Sequence, residues 1–65
     1  MTEQERRELV GLTRRHIIGS LALGIEEGAL FALAGFPNEH DFTEMLEALV
    51  RGGAIRQVGN VYYDR

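Results

Sequence analysis

Residues 42–65, FTEMLEALVRGGAIRQVGNVYYDR, decide the fold of this 65-residue chain. Apolar side chains recur in the first part of this stretch at positions i, i+3, i+4, i+7 and i+8, which are Phe42, Met45, Leu46, Leu49 and Val50. This spacing predicts an amphipathic helix with one buried stripe. Asn38 or Asp41 can cap the start of the helix, and the pair Gly52-Gly53 predicts its end.

Two runs of β-prone residues follow these glycines, at 54–58 and 61–65. Only the pair Gly59-Asn60 separates them, and a two-residue loop of this composition predicts a tight β-hairpin. Ile55 and Tyr62 then share one face of the hairpin. The opposite face carries three side chains, Arg56, Tyr63 and Arg65.

Two further helices are predicted before this stretch. Residues 2–5 fit a capping box, and an inward stripe follows at helical spacing, formed by Val10, Thr13, Ile17 and Leu21. A glycine inside a helix costs up to about 1 kcal/mol. We therefore expect the first helix to be weak at Gly11, with a break there and a restart at Thr13.

The second helix is predicted over residues 25–34, because Gly35 suits the position just past a helix end and Pro37 blocks continuation. Every side chain after Gly28 in this helix is apolar. Such a helix has to be buried on most sides or pair with another chain. We therefore expect an exposed apolar patch that serves as a protein interface, with three candidate contact residues, Leu30, Phe31 and Phe36.

The stretch 45–55, MLEALVRGGAI, resembles the end of the recognition helix and the start of the wing in the winged helix-turn-helix superfamily. Residues 61–63, VYY, are similar to the returning strand of that wing. The sequence therefore predicts an α+β fold, a three-helix core followed by a C-terminal β-hairpin (winged-helix-like), as a single domain over residues 1–65. The resemblance implies that the third helix enters the major groove of DNA and that the wing contacts the phosphate backbone or the minor groove.

The net charge of −3 is unevenly distributed. Residues 25–50 contain six acids and no arginine, whereas residues 1–24 sum to +1 and residues 51–65 to +2. The positions that would face a DNA groove are His40, Thr43, Glu44, Glu47 and Arg51. Affinity for DNA comes from neutralising phosphates with basic side chains, so this acidic helix face disfavours DNA. Glu44 and Glu47 are instead candidate contacts to a protein partner.

The sequence contains only weak signals for a catalytic or a metal-binding site. Ser20 and His16 lie one helical turn apart, but no acid is in register to orient the histidine. Carboxylates flank His40 without a second histidine or a ligand-spacing motif. The pair Glu26-Glu27 stands in the first turn of a predicted helix, where the dipole favours acids. The sequence therefore predicts no enzyme, no metal site, no cofactor and no small-molecule substrate.

The location of the protein is predicted from its N-terminus and from the apolar segment in the middle of the chain. Residues 17–36 are long enough to cross a membrane, but Glu26 and Glu27 within them would each cost roughly 2.5–3.5 kcal/mol to insert. The N-terminus, MTEQERRELV, is too charged for a signal peptide. We therefore expect a cytoplasmic protein without a membrane partner. No cysteine is present, so there is no disulfide framework.

Two binding functions remain. The first is a protein–protein adapter or a small self-associating module, which includes a homodimer, and it follows from the acidic central segment and the apolar second helix. The alternative is a DNA-binding transcriptional regulator or accessory factor. It would contact phosphates through five arginines, which are Arg14, Arg15, Arg51, Arg56 and Arg65. Tyr63 would be an exposed contact residue beside them.

Overall fold

The structure, a computed structural model, describes residues 1–65 apart from the side chain of Ala22. In this part of the chain, three α-helices and three strands are joined by short turns. In chain order the elements are α1 (Glu3–Gly19), a 3₁₀ turn (Leu21–Leu23), β1 (Ile25–Glu26), α2 (Glu27–Ala34), α3 (Glu39–Arg51), β2 (Ile55–Val58) and β3 (Val61–Asp64). The predicted α+β class, with three helices followed by a C-terminal β-hairpin, is confirmed.

α1 is one continuous helix, so the expected break at Gly11 is wrong. The Thr2 side chain caps it by accepting a hydrogen bond from a first-turn amide at 3.1 Å. Thr13 and Ile17 are buried, and the Thr13 hydroxyl donates to the Leu9 carbonyl at 2.7 Å. This face packs against α2 and β3, and tertiary packing of that kind outweighs the local cost of a helical glycine.

The end of α1 differs from the prediction. The helix stops at Gly19, and Leu21, which was expected on the buried stripe, is 75% exposed in the 3₁₀ turn. Its φ of 54° lies in the left-handed region, which bulky residues rarely adopt. Gly24 follows with a φ of 72°, and a Cβ there would lie 2.5 Å from Cε1 of Tyr63. Glycine is therefore required where this turn meets the sheet.

The first two residues of the predicted second helix form a strand instead. Residues 25–26 are β1, which pairs antiparallel with β3, so that the sheet has the order β1-β3-β2. As a result α2 begins at Glu27, two residues later than predicted. The Glu26 carboxylate caps it by accepting a hydrogen bond from the Gly28 amide at 2.8 Å. The end of α2 is as predicted, since Gly35 has a left-handed φ of 80°.

The predicted apolar stripe of α3 faces the core, with all five side chains buried or half-buried: Phe42, Met45, Leu46, Leu49 and Val50. Asn38 caps the helix, because its side-chain oxygen accepts a hydrogen bond from the Asp41 amide at 2.9 Å. The hairpin that follows has the predicted two-residue loop, with Val58 paired to Val61. The strongly periodic part of the sequence therefore folds as expected.

The core also contains two residues that were predicted to contact a partner. Leu30 is fully buried and Phe36 is 7% exposed, so this part of the interface prediction is wrong. The ring of Phe42 lies 5.7 Å from that of Phe36 and 5.1 Å from that of Phe31, centroid to centroid. The chain's own helices thus cover one side of α2, whereas Ala29, Ala32 and Leu33 stay exposed on the other. Phe31 alone of the three candidates is half-buried and reaches the surface.

One polar contact at the edge of the core joins the sheet to α2. The Tyr62 hydroxyl donates a hydrogen bond to Oε1 of Glu27 at 3.1 Å. Burial of the tyrosine raises the pKa of Tyr62 to about 12, helped by the hydrogen bond to Glu27 and by the negative charges of Glu27 and Glu47. Tyr62 is only 3% exposed, so the folded chain favours its neutral hydroxyl above the pH at which a free tyrosine ionises.

This pKa shift predicts alkaline unfolding. The unfolded tyrosine ionises near pH 10 and the folded one near pH 12. A raised pKa contributes stability that is fully present below pH 10 and is lost as the pH rises through 12. We expect the free energy of unfolding, measured with urea, to fall by about 2 kcal/mol across this range. Tyr62→Phe should remove most of the fall and Tyr63→Phe should not; an unchanged fall in Tyr62→Phe would contradict the role of this hydroxyl.

A second prediction tests the packed face of α3. Leu46 is fully buried, so Leu46→Ala should lower the free energy of unfolding by about 2–5 kcal/mol. That is a large share of the stability of a domain this small. The matched control is Leu33→Ala, because Leu33 is 49% exposed on α2 and its truncation should cost about 1 kcal/mol or less. Equal melting temperatures for the Leu46 and Leu33 variants would show that this face is not the core.

Candidate functional site

The exposed face of α3 is acidic. Glu39, Glu44 and Glu47 are all exposed along it, and the only cation of the helix other than histidine is Arg51 in its last turn. Nε2 of His40 lies 3.6 Å from a carboxylate oxygen of Glu44, and both side chains are largely in solvent. The positions predicted to face a DNA groove are thus exposed, as expected, and they present carboxylates there.

A pocket of about 230 Å³ lies between the start of α2 and α3. Phe42 and the half-buried Phe31 form its apolar floor. Its rim carries carboxylates from both helices together with Gly28 and Thr43: Glu26, Glu27 and Glu39. We call this the acidic pocket. Sequence spacing could not predict this pocket, since α2 and α3 bring its residues together only in the folded chain.

The carboxylates of the acidic pocket are not equivalent. Glu26 caps α2 through the Gly28 amide, and Glu27 accepts the hydrogen bond of Tyr62. Glu39 lies in the exposed first turn of α3, where the helix dipole favours an acid. Glu39 can therefore be changed with the least effect on the fold.

The C-terminal arginines lie around the junction of α3 and β2. The guanidinium carbon of Arg56 lies 4.9 Å from the ring centroid of Tyr63, as a cation–π pair on the outer face of the sheet. Nη1 of Arg65 donates to the Gly53 carbonyl at 3.2 Å, two residues beyond Arg51. The structure thus brings Arg56 together with Tyr63, which is half-buried and not exposed as predicted, and it joins Arg65 to the turn that follows Arg51.

The other two predicted contacts are on α1, where Arg14 and Arg15 are exposed. Arg14 lines a shallow groove with Glu3, Arg6, Arg7 and Val10. All the residues that line this groove belong to α1, so it is a different surface feature from the α3–β2 junction.

Exposed apolar side chains are concentrated where α1 ends. Leu21 and Leu23 are 75% and 87% exposed, and Ile18 in the last turn of α1 is about half exposed. We call these three residues the leucine tip. Sequence reasoning missed it, because Leu21 continues the spacing of the buried stripe. The available signal was the apolar run between Gly19 and Gly24, which contains no polar residue but Ser20.

Within the described residues, no cluster of three or more His, Asp or Glu side chains is placed to hold a metal ion. No described helix combines the length and the apolar character that a membrane crossing needs.

Comparisons of the chain with protein-family models, with curated proteins and with solved structures gave no match. The function of this protein is therefore inferred from the charges, exposed side chains and distances of its own surface. These features are the acidic face of α3, the acidic pocket beside it, the leucine tip and the arginines of the α3–β2 junction.

Proposed function

We propose that this protein is a small non-enzymatic binding module on a winged-helix-like scaffold, and that the acidic face of α3 binds a basic surface of a protein partner. One observation carries the proposal. The helix that would read DNA in a winged-helix domain exposes Glu39, Glu44 and Glu47, with Arg51 only at its end. The helix pair α2–α3, the hairpin after it and the added strand β1 support the winged-helix-like scaffold.

The acids of this face contribute little to the fold. The only contact between a basic and an acidic side chain of α3 among the described residues is the one between His40 and Glu44 at 3.6 Å. Exposed contacts of this kind are worth about 0–1 kcal/mol even where both groups are charged. Six acids without an arginine in residues 25–50 repel one another. Glu26 and Glu27 offset part of this repulsion through their hydrogen bonds, but Glu44 and Glu47 accept no hydrogen bond among the described residues. These two acids are suited to steering a basic partner, because complementary charge raises the association rate.

A DNA-binding regulator is the second candidate, and the cluster at the α3–β2 junction favours it. Arg51, Arg56 and Arg65 carry three positive charges there, beside Tyr63. Two of the three side chains already hold an internal contact, and the two-residue loop gives the wing little reach. The adjoining acidic face would also repel the phosphates. These contacts support weak, non-specific binding to DNA better than sequence-specific recognition in the major groove.

The two candidates differ in what happens when charge is removed from α3. Fluorescence anisotropy with a short labelled DNA duplex should give a dissociation constant weaker than about 10 μM near physiological salt. Glu44→Gln/Glu47→Gln should strengthen this DNA binding, and it should weaken binding to a labelled arginine-rich peptide, mostly through slower association. The matched control is Glu5→Gln/Glu8→Gln, which removes the same charge from the exposed face of α1.

The control variant should change both affinities less than the α3 variant does. A sub-micromolar, sequence-selective complex of the unmodified protein with DNA would overturn the proposal and make the regulator the right function. Equal effects of the two double variants on the arginine-rich peptide would show that net charge, and not the α3 face, attracts the basic partner.

A further inference from the structure

We infer that two copies of this chain associate, with the leucine tip of each copy seated in the acidic pocket of the other. The inference rests on the proposed function, since the pocket belongs to the same acidic side of the molecule as the α3 face. It adds a specific partner, a second copy, and a second contact surface at the end of α1.

The leucine tip has the properties of an unfilled contact. Among the described residues, Leu21 and Leu23 are the most exposed large apolar side chains, at 75% and 87%. Leu21 is held at φ 54°, a conformation that costs a bulky residue of order 1–3 kcal/mol. The strained turn packs against β3 and leaves both leucine side chains in water. Exposed apolar clusters of this kind mark interaction surfaces.

The surroundings of the tip are positive. Residues 9–25 contain no Asp or Glu, and they contain the exposed Arg14 and Arg15. These arginines precede Ile18 by four and three residues in α1, so they lie on the side of the helix that carries Ile18. The tip is therefore an apolar surface with a cationic margin.

The acidic pocket has the opposite margin and a matching floor. The apolar surface of its floor comes from the half-buried Phe31, which packs on the buried ring of Phe42, and its rim carries three carboxylates. Its volume of about 230 Å³ is below the range of roughly 300–1,000 Å³ typical of small-molecule pockets. It suits one or two apolar side chains better than a whole ligand. The two surfaces are complementary because each offers apolar side chains, and because the arginines beside the tip carry the charge opposite to that of the glutamates around the pocket.

The two surfaces are also neighbours within one copy. Leu23 of the tip and Glu26 of the pocket rim are three residues apart, so their Cα atoms lie within about 11 Å. A two-fold axis between the surfaces lets each tip enter the pocket of the other copy. Such an isologous pairing closes on itself, and it is the commonest symmetry among soluble oligomers.

Sedimentation velocity over a range of concentrations tests the association. We expect the wild-type chain to pass from monomer to dimer as its concentration rises to the high micromolar range, and the dimer to weaken in high salt. Leu21→Ser/Leu23→Ser should remain a folded monomer throughout. Leu33→Ser, at a leucine that is 49% exposed on α2, should dimerise like the wild type. A wild-type chain that is monomeric at every concentration would overturn the inference.

A charge exchange tests which surfaces meet. Arg14→Glu/Arg15→Glu reverses the margin of the tip, and Glu39→Arg/Thr43→Arg reverses the α3 side of the pocket rim. Each variant should be monomeric alone, with its helical circular dichroism and melting transition retained, and an equimolar mixture of the two should dimerise. No recovery in the mixture would show that the tip does not enter this pocket. That failure would leave the binding of an arginine-rich peptide by Glu44 and Glu47 unaffected, so the two proposals can fail separately.

Discussion

The position of β3 between β1 and β2 is the constraint on which the rest of the structure depends. Its Tyr62 is buried in the core and donates a hydrogen bond to Glu27, so one residue joins the last strand to the first turn of α2. The backbone of β3 also pairs with β1, which fixes the chain between α1 and α2. Through these contacts the C-terminal hairpin sets where α2 begins and where the turn after α1 projects. The acidic pocket and the leucine tip both follow from this arrangement.

Sequence periodicity predicted the elements that depend on local spacing. α3, its Asn38 cap and the two-residue hairpin loop were confirmed, because their patterns are complete within a few residues. β1 could not be predicted in the same way, since two residues become a strand only by pairing with β3 far along the chain. The continuous α1 likewise depends on packing against α2 and β3, which no local glycine cost reveals.

The candidate site was predicted in part. Exposure of Glu44 and Glu47 followed from the helical phase of α3. Leu30 and Phe36 were wrongly expected on the exposed apolar surface, because composition alone cannot tell whether a side chain covers the core or faces solvent. Part of α2 is exposed as expected, at Ala29, Ala32 and Leu33. Leu21 and Leu23 add exposed apolar surface at the end of α1, which the sequence spacing did not predict.

The acidic face of α3 adjoins the arginines of the α3–β2 junction, and the proposed function requires that the acidic face binds protein. Amide chemical shifts of ¹⁵N-labelled protein, recorded with an arginine-rich peptide and then with duplex DNA, distinguish the two surfaces. We expect the shifts caused by the peptide to cluster around Glu39, Glu44 and Glu47, with small changes on adding DNA. Shifts confined to Arg51, Arg56 and Arg65 on adding DNA, with none on adding the peptide, would contradict the proposed function.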